Sequence, residues 1–203
     1  QETKGPLRCA WQQILAMNAI SSDTALLIVD VQQGMDDPRH GPRSTPNAVA
    51  NMARLLAAWR ESGWPVVHVK HNSTVPTSLL RPGLPSNALM PEVAPHQGEP
   101  LFEKTVNSAF IGTDLEGYLR ARGLTTLVIV GLTTDHCIST TARMAENLGF
   151  ATTVVADATA AFGKTSYDGR SFSAEEIHEV ALANLHDEFA TIRATDEVLG
   201  SIQ

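Results

Sequence analysis

Short apolar runs recur along the chain, parted by helix-periodic segments or turn-rich connections, and this alternation restricts the fold more than any other feature. ALLIVDV (25–31), WPVVHVK (64–70), TTLVIVG (125–131), ATTVVAD (151–157) and FATIRAT (189–195) read as strands. Near-continuous apolar strands belong to parallel sheets covered on both faces. After the first, Val49, Met52, Leu56 and Trp59 fall on one stripe of a helix ending near Gly63, with Thr45 as cap and Pro46 at its first position. Thr113 is placed to cap a short helix through Leu119, closed by Gly123. Ile138, Thr141, Ala142, Ala145 and Leu148 share a face of the segment 137–148, with Gly149 as terminator. Ser173 and Glu176 form a capping box for a helix to about Leu185. The pattern predicts an α/β fold: a single-domain, doubly wound (Rossmann-like), mainly parallel sheet of five to six strands with helices on both faces, over residues 22–203.

Residues 1–21 stand apart from this rhythm and read as an N-terminal extension or expression-derived segment, with Met17 as a candidate native start. A short packed helix over Trp11, Ile14 and Leu15 is the alternative reading. The stretch 71–112 is irregular, carries six prolines from Pro76 to Pro100, and is too long for an ordinary connection; loops of that length usually serve function.

Charge and composition exclude several classes. Fifteen basic against 22 acidic residues leave a net charge of −7, the wrong sign for displacing counterions from a nucleic acid. No apolar run approaches a membrane span, and the first residues lack the layout of a secretory signal. Two cysteines, Cys9 and Cys137, are too few for a disulfide framework and fit a reducing, cytoplasmic setting. Cys9 is given no chemical role.

In an open α/β sheet, ligands bind outside the carboxyl ends of the strands. Asp30 ends the first strand, Cys137 opens the helix after the turn GLTTDH (131–136), and Lys104 ends the long loop within FEKTVNSAF (102–110). A thiol at a helix N-terminus faces unpaired N–H groups and the positive dipole end, which favours thiolate. Singly, each residue has an ordinary explanation: a small buried hydrophobe, a structural hydrogen bond, a surface charge. Together they supply a nucleophile, a proton acceptor and a cation.

At these residues the sequence resembles the isochorismatase-like cysteine hydrolases, relatives of nicotinamidases and N-carbamoylsarcosine amidase. The pieces that carry the resemblance are LLIVDVQ (26–32), the EKTVNSAF block (103–110), VIVGLTTDHCISTTARMAENLGF (128–150) and VVADATAAF (154–162). The resemblance implies Asp30, Lys104 and Cys137 as a catalytic triad, a cis peptide at Leu132–Thr133, and an oxyanion hole from the backbone N–H groups of Thr133 and Cys137. It implies C–N hydrolysis of a small amide, ureide or related acyl compound through a thioester, without cofactor. It also implies a homo-oligomer, dimer or tetramer, acting on a small-molecule substrate.

The chain departs from nicotinamidases where they carry a D-x-H metal pattern after the second strand. Here the stretch reads KHNS (70–73), with His71 in place of the aspartate and Ser73 in place of the histidine. His68 and His71, three apart on a strand, point to opposite faces and do not chelate together. A metal-free site is the expectation. His71, Asn72, Ser73, Phe110 and Phe162 are candidates to line the substrate pocket, with Thr74, Ser78 and Arg81 behind them. Asp135 and His136 are expected to fix the turn, and Asp157 to cap the loop after the fourth strand. Two other classes stay open: a thiol redox protein using Cys137 without hydrolysis, and a small-molecule binder on the same scaffold, although no glycine-rich phosphate loop follows the first strand.

Overall fold

The computed structural model describes residues 20–202. The helix expected over Trp11, Ile14 and Leu15, together with Cys9 and Met17, lies outside the described residues. Six strands form the central sheet: β1 (Thr24–Val29), β2 (Val66–His71), β3 (Leu101–Lys104), β4 (Thr126–Leu132), β5 (Ala151–Ala160) and β8 (Thr191–Arg193). Their order is β3-β2-β1-β4-β5-β8, and every neighbouring pair is parallel. A small antiparallel hairpin, β6 (Lys164–Thr165) and β7 (Ser171–Phe172), stands apart from it. The helices are α1 (Ala48–Glu61), α2 (Leu115–Ala121), α3 (Ser139–Asn147), α4 (Ala174–Leu185) and α5 (Thr195–Leu199). None is long and apolar enough to cross a membrane.

Successive residues of β1 feed opposite faces, as the pleat requires. Ala25, Leu27 and Val29 join Leu115 and Leu119 of α2, Ala142 and Ala145 of α3, and Leu182 and Leu185 of α4 in one core. Leu26 and Ile28 join Met52, Leu55, Leu56 and Trp59 of α1 and Val198 of α5 in the other. All six residues of β1 are buried, which is why its sequence is apolar from Ala25 on rather than alternating. Trp59 spends its one polar atom within the core, its indole Nε1 donating to the Thr24 carbonyl at 3.0 Å.

The boundaries differ from expectation in identifiable ways. The stretch 71–112 is not wholly irregular: it contains β3 at the sheet edge, where Leu101 and Glu103 are exposed while Lys104 is buried, so the strand lacks an apolar signature. Helix α1 starts at Ala48, not Pro46, because Thr45 turns the chain through its carbonyl, which accepts from Ala48 N–H at 3.1 Å, and Asn47 is the cap residue. Helix α2 starts at Leu115 after Asp114, but Thr113 still caps it from one residue earlier, its Oγ1 accepting from Leu115 N–H at 3.4 Å and donating to the Ala109 carbonyl at 2.6 Å. The segment expected to be helical from Cys137 divides into a π-helical turn (Thr134–Ile138) and α3. The last strand is shorter than FATIRAT, since Thr195 instead opens α5. The Ser173–Glu176 capping box of α4 is present with both bonds.

Asp157 does not cap a following loop. It lies within β5, where its Oδ1 accepts from both the N–H and the Oγ1 of Thr195 at 2.7 Å, anchoring the start of α5. Its Oδ2 and carbonyl accept from Asn51 Nδ2 at 3.2 and 2.8 Å, so one aspartate ties α1 and α5 to the sheet.

Two predictions follow from the packing. Gly131 of β4 stands in register with Val29 at φ +133, and a Cβ there would run into the Val29 backbone carbonyl. Gly131→Ala combines left-handed strain with overpacking and should cost about 3 kcal/mol or more in urea unfolding; an unchanged midpoint would contradict this strand spacing. Glu99 accepts from Arg60 of α1 at 2.7 and 2.8 Å and lies 2.8 Å from His68 Nε2 of β2. Burial alone would raise its carboxyl, but the bonds from Arg60, His96 N–H and His68 outweigh it and hold it down to about 2. A depressed carboxylate stabilises fully above its ordinary value and loses that contribution as pH falls toward about 2. Glu99→Gln should therefore be less stable than the wild type near neutral pH, with the gap closing through the acid range.

Candidate active site

The carboxyl ends of four adjacent strands, β3, β2, β1 and β4, converge on one ammonium. Lys104 closes β3 and its side chain is fully buried. Its Nζ donates to Asp30 Oδ2 at 2.5 Å and to Cys137 Sγ at 3.4 Å, and lies 3.2 Å from His71 Nδ1. Each partner is delivered by backbone register. His71 is the register partner of Lys104 in the β2–β3 pair, so their side chains stand side by side on one face. Asp30 follows β1 and its N–H donates to the Val69 carbonyl of β2 at 2.9 Å. There the chain takes φ +56, a left-handed conformation that aspartate tolerates better than most residues. Cys137 arrives from the π-helical turn after β4.

Burial raises the Asp30 carboxyl above the usual carboxylate range, more than the charge of Lys104 and the Cys137 thiol lower it. Its Oδ1 is buried without a well-formed hydrogen bond. For Cys137 the thiolate expectation is overturned. Burial, seconded by the adjacent Asp30 carboxylate, pushes the thiol up to about 12, and the ammonium of Lys104 does not offset them. Cys137 is 8% exposed and so lies largely out of water.

The peptide bond between Leu132 and Thr133 is cis. The Thr133 carbonyl accepts from His136 N–H at 3.1 Å and Ile138 N–H at 3.2 Å, which winds the turn tightly around Cys137. Asp135 and His136 are held from outside the sheet. Lys164 of the hairpin pairs with the Asp135 carboxylate and lies 2.8 Å from His136 Nε2. Burial would raise Asp135, but Lys164 and His136 outweigh it and its carboxyl lies below the usual range.

The pocket candidates divide. His71 belongs to the cluster itself. Asn72 follows it, its N–H donating to the Lys104 carbonyl at 2.7 Å. Ser73 is buried and its Oγ accepts from Val75 N–H at 3.2 Å, within its own turn. Phe110 packs in the same core as Cys137 and stacks on Phe150 at 5.7 Å. Phe162 stacks instead on His40 at 5.0 Å, in the loop after β1.

Several supporting residues escaped the sequence reading. Gln32, fully buried, donates through Nε2 to the His71 and Asn87 carbonyls at 3.0 and 2.9 Å and accepts from His71 N–H at 2.9 Å. Asn87 Nδ2 donates to the His71 and Leu80 carbonyls. Thr134 Oγ1 lies 2.8 Å from His178 Nδ1 of α4, a buried ring whose pKa burial lowers. Asn107, in the EKTVNSAF block, is 4.0 Å from the Cys137 sulfur through Oδ1. Buried amide and hydroxyl side chains demand partners, but sequence does not say which.

Asp30, His71 and Cys137 offer one ligand atom each within 4.8 Å of one another, a spacing a metal could use. The Lys104 ammonium stands among those atoms and bonds to all three, so a second cation there would meet a like charge. The nicotinamidase-type cradle does not fit either. His68 turns to Glu99, Ser73 is spent on Val75, and His71 faces Lys104.

The isochorismatase domain matches residues 24–197. A Bacillus subtilis isochorismatase family protein, YrdC, is 48% identical over 175 residues, covering 86% of this chain and 94% of its own. The crystal structure of an isochorismatase-family protein from Chromobacterium violaceum superposes with a TM-score of 0.86 at 45% identity, covering 90% of this chain and 95% of that one. The ureidoacrylate amidohydrolase RutB of Methylobacterium radiotolerans is 29% identical over 215 residues, covering 87% of this chain and 80% of its own. With a parallel sheet in the order found and a domain match across nearly all of the described residues, the chain belongs to the isochorismatase family of hydrolases.

Proposed function

We propose that this enzyme cleaves a C–N bond of a small amide or ureide through a thioester on Cys137. The observation that carries the reading is the simultaneous hydrogen bonding of one buried ammonium to a carboxylate and to a sulfur. A structural ion pair has no need of a thiol at its side, whereas a nucleophile needs both an acceptor for its proton and a neighbouring positive charge. The similarity to a ureidoacrylate amidohydrolase favours an amide or ureide carbonyl as the electrophile.

In this mechanism Asp30 takes the thiol proton as the sulfur attacks the carbonyl carbon. Concerted transfer suits a thiol whose own pKa is high, and a carboxylate raised by burial is a stronger base than an ordinary one. The backbone N–H groups of Thr133 and Cys137 receive the oxyanion. Collapse breaks the C–N bond, and Asp30 returns its proton to the leaving nitrogen. Water then attacks the thioester, losing a proton to Asp30. The second collapse releases the acid, and the proton returns to sulfur. Lys104 keeps Asp30 ionised at the start of each half-reaction by direct charge pairing.

A screen of small amides and ureides, ureidoacrylate among them, tests this. Wild type should turn over at least one of them and carry an acyl adduct on the Cys137 peptide in acid-quenched mass spectra. Cys137→Ala should fold normally and lose about a thousandfold or more in turnover. Undiminished hydrolysis by that variant would overturn the covalent route. Because Asp30 must be ionised to act as base, the rate should fall on the acid side with an inflection above the ordinary carboxylate range. A profile flat through that region would remove Asp30 from the role.

A further inference from the structure

We infer that His71 is a positioning residue: as a neutral imidazole it completes a three-point seat that fixes the rotation of the Lys104 ammonium and so aims one N–H at the Cys137 sulfur. The inference rests on the hydrolase reading and adds a member to the machinery.

An ammonium has three N–H donors and no lone pair. Lys104 Nζ finds three acceptors within reach: Asp30 Oδ2, Cys137 Sγ and His71 Nδ1. Because the lysine can only donate, Nδ1 must carry the lone pair and the ring proton must sit on Nε2. The ring also has a backbone hydrogen-bonding partner at Val106. Burial, and next the charge of Lys104, lower the imidazole below its usual value, with the Asp30 carboxylate acting the other way. The titratable groups facing the ring are thus Lys104 from β3, Asp30 after β1 and Cys137 after β4.

The backbone of His71 is held as closely as its ring. Gln32 and Asn87, both buried, bond its N–H and its carbonyl from two directions. A solvated loop histidine has no use for such fixing. If His71 were removed, one N–H of a fully buried ammonium would lose its acceptor, and the ammonium could rotate away from the sulfur.

Two measurements test the assignment. Long-range 1H–15N NMR of wild type, on the imidazole nitrogens, should find His71 neutral near neutral pH as the Nε2–H tautomer. Acylation of Cys137 by p-nitrophenyl acetate, followed by p-nitrophenolate release and by the mass of the Cys137 peptide, should then separate two variants. Asn Oδ1 stands the same number of bonds from Cβ as Nδ1, so His71→Asn keeps an acceptor for Lys104 and should acylate within a few-fold of wild type. His71→Leu removes it and should slow acylation about tenfold or more, with KM for the ester little moved. An Nδ1–H tautomer, an imidazolium at neutral pH, or a Leu variant as fast as wild type would overturn the inference. Should the Leu variant fail to fold, the wild-type tautomer still decides. Should wild-type Cys137 resist acylation altogether, the hydrolase reading fails, while the NMR result still decides the pairing of His71 with Lys104.

Discussion

The structure turns on an ammonium buried at the ends of four strands. Taking a lysine wholly out of water is tolerable only if a carboxylate and further acceptors replace the lost hydration. Here the replacement comes from residues far apart in sequence but adjacent in the sheet, because the order β3-β2-β1-β4 brings their carboxyl ends together. Strand order reverses between β1 and β4, and in doubly wound sheets ligands settle in the crevice opened by such a reversal. Asp30 and Cys137 follow the two strands that flank it. The cluster is thus a consequence of topology: no loop has to fold back to assemble it.

The raised thiol pKa is informative about how such a site works. A preformed thiolate beside a carboxylate, both out of water, would place two negative charges against one ammonium. Burial and the Asp30 charge instead keep the sulfur protonated at rest. In the proposed mechanism the proton leaves only as a carbonyl carbon receives the sulfur's electrons; a protonated, buried sulfur is also shielded from adventitious oxidation, which follows thiolate character and exposure. The helix-dipole argument applied to sequence alone pointed the other way. A helix N-terminus alone favours thiolate, whereas Cys137 lies in a π-helical turn packed against the core, where burial decides.

How much was legible depended on whether a residue's role is local. The buried strands announced themselves through runs such as ALLIVDV, and the capping box at Ser173 and Glu176 is a four-residue pattern that sequence carries in full. Asp30, Lys104 and Cys137 could be picked out because each is a polar residue at the end of a patterned element or within a motif block. The edge strand β3 could not, since half its side chains face solvent and its pairing with β2 is a long-range fact. Gln32, Asn87 and His178 were invisible for the same reason: their partners, His71, Leu80 and Thr134, are fixed by the folded chain. Ser73 closes its own turn and Phe110 stacks on Phe150 in the core that also holds Cys137, contacts that their sequence neighbourhood does not specify.

Stability and chemistry are coupled in this arrangement through strand register. Slipping β3 by one residue against β2 would send Lys104 to the opposite face and leave Asp30 buried with no cation. Gly131 sets the approach of β4 to β1 in the same way, since its hydrogen lies where a side chain would strike the Val29 carbonyl, one residue before Asp30. The hairpin acts from outside, through Lys164 on Asp135, and α4 through His178 on Thr134, so the turn bearing Cys137 is gripped on both flanks. Lys104, Asp30 and Cys137 are carried at strand ends held by the core, and Asn87, from the irregular chain beyond His71, adds a bond to the His71 carbonyl. The sulfur, the carboxylate and the ammonium are thus fixed relative to one another by strand ends rather than by loops alone.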